Sequence, residues 1–174
     1  MNESEQIARA RAGDDAAFTR LVETYQTVIF NLCYRMLGDP AEAEDAAQET
    51  FLRAYSQLHR YDPGRSFKTW LLSIASHHCI DRLRKRRLTW LSLDESLEPH
   101  PALHEHSPGP EEASVKREQT AVIATLLAGL APDDRSMVVM RYWHDLSYEE
   151  IADATGATVS AVKSRLHRAR AQLA

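Results

Sequence analysis

The segment from Asp145 to Ala174, DLSYEEIADATGATVSAVKSRLHRARAQLA, leaves room for essentially one local architecture. Ser147 followed three residues later by Glu150 is a capping box, so a helix starts there with its unpaired amide donors satisfied. Gly156 supplies the left-handed position that ends it, and Thr158 caps a second helix. Val162, Leu166, Ala169 and Leu173 recur at helical spacing and form one apolar stripe along that second helix. Its other face carries Ser160, Lys163, Ser164, His167 and Arg168, flanked by Arg165 and Arg170, and no acid occurs from Ala157 to Ala174. Solvated helices ordinarily mix their charges. A capped helix, a turn and an amphipathic helix with a wholly basic polar face is a helix-turn-helix suited to a major groove lined by phosphates.

The net charge of −4 argues against nucleic acid only until it is resolved along the chain. Residues 1–92 hold 13 basic and 12 acidic side chains, and residues 113–174 hold eight and seven. Residues 93–112 hold Asp94, Glu95, Glu98, Glu105, Glu111 and Glu112 and no Lys or Arg. The acidity belongs to the middle, and local patches decide what the ends can bind. Pro99, Pro101, Pro108 and Pro110 with Gly109 make the same stretch a poor helix, so Thr89–Glu112 is predicted to be a flexible acidic linker.

The remainder predicts helices. Asp15–Tyr25 places Phe18, Leu21, Val22 and Tyr25 on one face, and Thr27–Leu37 repeats the pattern up to Gly38. Pro40 opens a third helix through about Leu58, with Ala43, Ala47, Phe51 and Tyr55 inward. After the turn residues Asp62-Pro63-Gly64, a fourth helix over Phe67–Arg87 buries Trp70, Leu71, Ile74, Ala75 and Ile80 and ends in four successive cations. Val115–Leu130 and a helix from Pro132 to about His144 lead into the helix-turn-helix. The expected fold class is all-α: two small helical domains, 1–88 and 113–174, joined by a linker over 89–112. The composition, 44% hydrophobic and 26% charged, is that of an ordinary globular chain. No apolar run is long enough to insert in a membrane, and no secretory pattern opens the chain. Cys33 and Cys79 sit in apolar surroundings, as buried thiols in a reducing cytoplasm would. No constellation for catalysis, cofactor or metal is present. His77, His78 and Cys79 are adjacent and diverge on a helix, so they cannot close a tetrahedral site alone.

The stretch DPAEAEDAAQETFLRAYSQLHRYDPGRSFKTWLLSIASHHCIDRLRKRR, taken with IADATGATVSAVKSRLHRARAQL, resembles the extracytoplasmic-function (group 4) sigma factors of bacterial RNA polymerase. The resemblance implies a σ2 domain over 1–88, a σ4 domain over 113–174, and a promoter-specificity subunit rather than an enzyme. It implies cytoplasmic partners: core RNA polymerase (the β′ clamp helices and β), promoter DNA, and an anti-sigma factor. Glu44, Asp45, Gln48, Glu49 and Arg53 match the motif that docks on β′. Tyr61, Arg65, Ser66, Phe67, Lys68, His77, Arg82, Arg84 and Lys85 fall where the minus-ten element is captured, with a flipped base trapped near Phe67. Ser160, Lys163, Ser164, Arg165, His167 and Arg168 fall where the minus-thirty-five element is read. The acidic linker fits a strap that imitates RNA in a basic channel of the polymerase. Two positions depart from the family pattern: Ser76-His77 stands where members usually have Arg-Asn, and Ser160-Ala161 where they usually have Gly-Thr. The alternative reading is a helix-turn-helix regulator that works without polymerase.

Overall fold

In the computed structural model, which describes residues 1–93 and 111–174, helices are set by caps and apolar spacing much as in the sequence. Among the described residues there is no strand. The N-terminal half comprises α1 (Glu3–Arg11), α2 (Asp15–Leu37), α3 (Pro40–Gln57), a 3-10 turn (Leu58–Arg60) and α4 (Phe67–Leu93). The C-terminal half comprises α5 (Glu111–Ala128), α6 (Pro132–Trp143), α7 (Tyr148–Thr155) and α8 (Val159–Leu173).

Asp14 and Asp39 cap α2 and α3 by accepting from the Ala17 and Glu42 amides, and Gly38 at φ 79° closes α2. Helix α2 then packs on α1, α3 and α4 through Leu21, Ile29, Leu32, Cys33 and Met36. The opposite wall is Ala43, Ala46 and Ala54 of α3 with Leu71, Leu72 and Ala75 of α4. Alanines on α3 let it approach closely, while each fully buried Leu or Ile contributes about 1.5–3 kcal/mol. Cys33 and Cys79 meet inside this core; the neighbouring Cys33 first, and burial second, push the Cys79 thiol up.

Four expectations are corrected. Helix α1 was not foreseen; its cap is Asn2, whose side chain accepts from the Glu5 amide while Glu5 returns to the Asn2 amide. The two segments Asp15–Tyr25 and Thr27–Leu37 form the single helix α2, because nothing at Tyr25-Gln26 breaks the backbone. Tyr55 does not face the core. It is 50% exposed and donates its hydroxyl to Asp15 while its ring meets Phe18 edge-on. Helix α4 continues to Leu93 and α5 starts at Glu111, so helix enters both ends of the stretch taken as linker. The rest of that stretch, including the carboxylates from Asp94 to Glu105 and the RNA-mimic reading, lies outside the described residues.

In the C-terminal half, α6, α7 and α8 pack around Val139, Met140, Ile151, Val162 and Leu166. The capping box of Ser147 and Glu150 is formed in both directions, at 3.1 and 3.0 Å. Gly156 adopts φ 76° with its amide on the Ala152 carbonyl, and Thr158 caps α8 through the Ala161 amide. Replacing Ser147 by Ala removes the cap and should cost about 1 kcal/mol of stability. A urea titration followed by helical circular dichroism reads it, and an unchanged midpoint contradicts the assignment.

Candidate nucleic-acid interface and the surfaces around it

Docking α8 behind α7 turns its apolar stripe inward, with Val162, Leu166 and Ala169 buried. What remains outward is Ser160, Lys163, Ser164, His167, Arg168 and Arg170, all exposed. Arg165 differs: it is half-buried and pairs with Asp134 of α6 at 3.5 Å, a brace between helices. Tyr148, which the sequence reading passed over, lies between two cations. Arg141 sits 4.7 Å from its ring centre and Lys163 5.8 Å. No local signal in the sequence marks it, because Arg141 on α6 and Lys163 on α8 are brought to the ring only by packing.

A second exposed surface lies on α3. Glu44, Asp45 and Gln48 are exposed, and Glu49 pairs with Arg53 at 3.1 Å with both side chains about two-fifths exposed. Such an exposed i,i+4 pair is worth only about 0.3–0.5 kcal/mol to stability. Beside these acids, Leu52 is 66% exposed, an apolar group with no core role. The sequence reading placed the acids on this face but not Leu52, which the acidic run does not signal.

The third group is divided. Tyr61 and Phe67 are buried, at 4% and 2% exposure, and form an aromatic cluster with Trp70 and Tyr25 at centroid distances of 5.1–5.6 Å. The Tyr61 hydroxyl donates to the Arg65 carbonyl, tying the loop to this floor. Phe67 is thus a support beneath the loop, not a surface on which a base could lie. Arg65 and Ser66 are exposed above it, and the Ser66 hydroxyl accepts from the Thr69 amide at the start of α4. Further along α4, His77 and Lys85 are exposed, whereas Arg82 donates to the Glu42 carbonyl at 3.2 Å and Arg84 pairs with Asp133 at 2.8 Å. Arg86 pairs with Glu42.

The two halves touch. Arg135 of α6, 9% exposed, donates to the Met36 carbonyl at 2.6 Å and to the Ala128 and Leu130 carbonyls. Ser76 of α4 and Ser136 of α6 are buried and share a hydrogen bond. Lys68 donates to the His144 carbonyl at 3.3 Å, Thr69 to the Glu150 carboxylate at 3.1 Å and Ser73 to the Ala154 carbonyl at 3.0 Å. Burial, then the nearby charges of Lys68 and Arg35, push His144 down to about 4. That imidazole is therefore neutral near pH 7.

Comparison with known proteins assigns both halves. Residues 21–89 match the family described as Sigma-70 region 2, and residues 120–173 match Sigma-70, region 4. The chain is 37% identical to the ECF RNA polymerase sigma factor SigW of Bacillus subtilis, over 96% of this chain and 92% of that protein. It is 31% identical to the RNA polymerase sigma factor CnrH of Cupriavidus metallidurans, over 95% of this chain and 89% of that one. The solved structure of CnrH in complex with the cytosolic domain of CnrY superposes with a TM-score of 0.70 at 26% identity, covering 98% of this chain and 94% of the other. The chain belongs to the extracytoplasmic-function sigma factors of the σ70 family, non-enzymatic subunits that join core RNA polymerase and direct it to promoters.

Proposed function

We propose that the two halves divide promoter recognition, with residues 1–88 acting as σ2 and 113–174 as σ4. The observation that carries this is the exposed face of α8, cationic and free of acids, presented by a capped α7. Ser160, Lys163, Ser164, His167 and Arg168 enter the major groove of the minus-thirty-five element, where side chains can tell base pairs apart. Arg170 holds phosphate, and Arg165 steadies α8 against α6 before it meets DNA.

On σ2, Glu44, Asp45, Gln48, Glu49 and Arg53 dock on the β′ clamp helices, with Leu52 supplying apolar contact at the centre of the patch. Arg65, Ser66, Lys68 and His77 face the minus-ten element over the support of Tyr61 and Phe67. Arg82, Arg84 and Lys85 follow its backbone. An anti-sigma factor is the proposed regulatory partner, since CnrH was solved with a domain of CnrY. The proposed location is the cytoplasm, where bacterial polymerase works; no described helix is long and apolar enough to cross a membrane.

Base contact and phosphate contact fail differently, which tests the division. Arg168→Ala should cost about 1–3 kcal/mol on a matched minus-thirty-five element and relax preference at one position. Lys85→Ala should weaken binding alike on all promoters and lower the dependence on salt. Equal losses by Arg168→Ala on matched and mismatched elements reduce that residue to a phosphate contact.

A further inference from the structure

We propose that a cavity between α2, α5 and α6 binds a small organic acid, a carboxylate carried on a compact apolar body such as one aromatic ring. The proposal is independent of the DNA and polymerase contacts assigned above. The cavity has a volume of about 140 Å³ and is walled by residues 34–38 at the end of α2, by α5, and by Arg135 and Trp143 of α6. Gly38 at φ 79° stops α2 at its edge. Of the α5 residues that face it, Leu127 is buried, while Thr120, Ala124 and the 41% exposed Ile123 border open space.

The lining selects the ligand in two ways. Leu37, Ile123, Ala124 and Leu127 supply apolar wall, which favours a ring or a branched chain over water. An apolar cavity of roughly 150 Å³ has room for one benzene-sized group. The charge of the lining is also unbalanced. Arg35 and Arg135 both face the cavity, and no Asp or Glu does. Asp133 and Asp134, just before Arg135 in sequence, pair instead with Arg84 and Arg165.

Arg135 is 9% exposed, donates through Nη1 and Nη2 to three backbone carbonyls, and keeps a buried Nε without an acceptor. Arg35 donates to the Asn31 carbonyl at 3.4 Å and lies 5.1 Å from the centre of the Trp143 ring, which leaves guanidinium donors for a ligand. Burial pushes both guanidiniums down from their ordinary range, and the Arg86 charge adds to it at Arg135. An arginine does not relieve this by losing its proton. A carboxylate does relieve it, because a half-buried cation gains most from an anion it can hydrogen-bond. The ring lies against Leu37, Ile123 and Leu127, and the carboxylate turns to the fork of Arg35, which matches two oxygens at once. Inorganic phosphate would bring the charge without the body, and a neutral ring the body without the charge. The walls come from both halves, so the bound acid joins α2 to α5 and α6 and raises the melting temperature.

Benzoate is the probe, with benzamide as the neutral ring and acetate as the bare charge. Calorimetric titration of the full chain at constant ionic strength should give saturable benzoate binding with a Kd on the order of 1 mM or below. Benzamide and acetate should each bind at least roughly tenfold more weakly. Of the three tryptophans, Trp143 lines the cavity. Its indole resonance, identified by its loss in Trp143→Phe, should shift with benzoate while that of Trp90 stays in place. Ala124→Phe fills the cavity from an exposed position on α5, and Arg35→Gln removes the fork. Both should keep the circular dichroism spectrum and weaken benzoate binding at least roughly tenfold. If either variant loses helicity, the comparison of benzoate with benzamide on the unmodified chain still decides. Absence of saturable benzoate binding overturns the proposal, as does an undiminished response in a folded Ala124→Phe. Equal binding of benzoate and benzamide overturns it too, and marks an apolar hollow fit for a side chain of a protein partner.

Discussion

Replacing Asp45 and Glu49 together by arginine should weaken assembly with core RNA polymerase by about 100-fold or more and leave the helical content unchanged. Asp45 is exposed and Glu49 pairs with Arg53 at the surface, so neither carries the σ2 core. Within the free chain the exchange loses one surface ion pair, worth about 0.3–0.5 kcal/mol. At an interface the same exchange puts two cations where the partner expects anions, and like-charge juxtaposition costs several kcal/mol. At 1.4 kcal/mol per factor of ten, affinity should fall by about 100-fold or more. Co-purification with core polymerase, alongside circular dichroism, gives both readings. Wild-type affinity in the double variant removes α3 from the polymerase contact.

Leu166→Ala should be the most damaging single change in σ4. Leu166 is 1% exposed in the core that α8 forms with α6 and α7. Removing its branched end loses transfer energy and leaves a cavity, a combined cost of about 2–5 kcal/mol. A small helical unit is held by only a few such residues, so the recognition helix should lose its seat and the minus-thirty-five element its reader. Alanine at the neighbouring exposed Arg168 should leave the melting temperature nearly unchanged. Similar thermal midpoints for Leu166→Ala and the unmodified chain would show that α8 is not held by its apolar stripe.

Local chemistry made much of this fold readable. The Ser147 cap, the Gly156 stop and the Thr158 cap are each decided within four residues, and all three stand where their side chains predict. The spacing of Val162, Leu166 and Ala169 sets the buried face of α8 for the same reason. Readings failed where a distant partner decides. Tyr55 fits an inward pattern, yet Asp15, forty residues away, takes its hydroxyl and holds it at the surface. Phe67 borders a loop in the sequence, but Tyr25, Tyr61 and Trp70 close over it. Arg165 sits among the cations proposed to face DNA, and the approach of Asp134 on α6 withdraws it. The seam between the halves had no local signature at all. Ser76, Arg135 and Ser136 are individually unremarkable residues, and their pairing spans contacts of 60 and 99 positions in sequence.

This chain confers promoter choice on a polymerase and does not act on DNA alone. Run-off transcription with purified core polymerase on a promoter library measures that directly. Core polymerase alone should give no discrete transcripts. Adding the chain should select a set of templates sharing one minus-thirty-five and one minus-ten element, with loss of transcript when either is scrambled. A chain that protects a DNA site unaided while leaving the transcripts of core polymerase unchanged would contradict it.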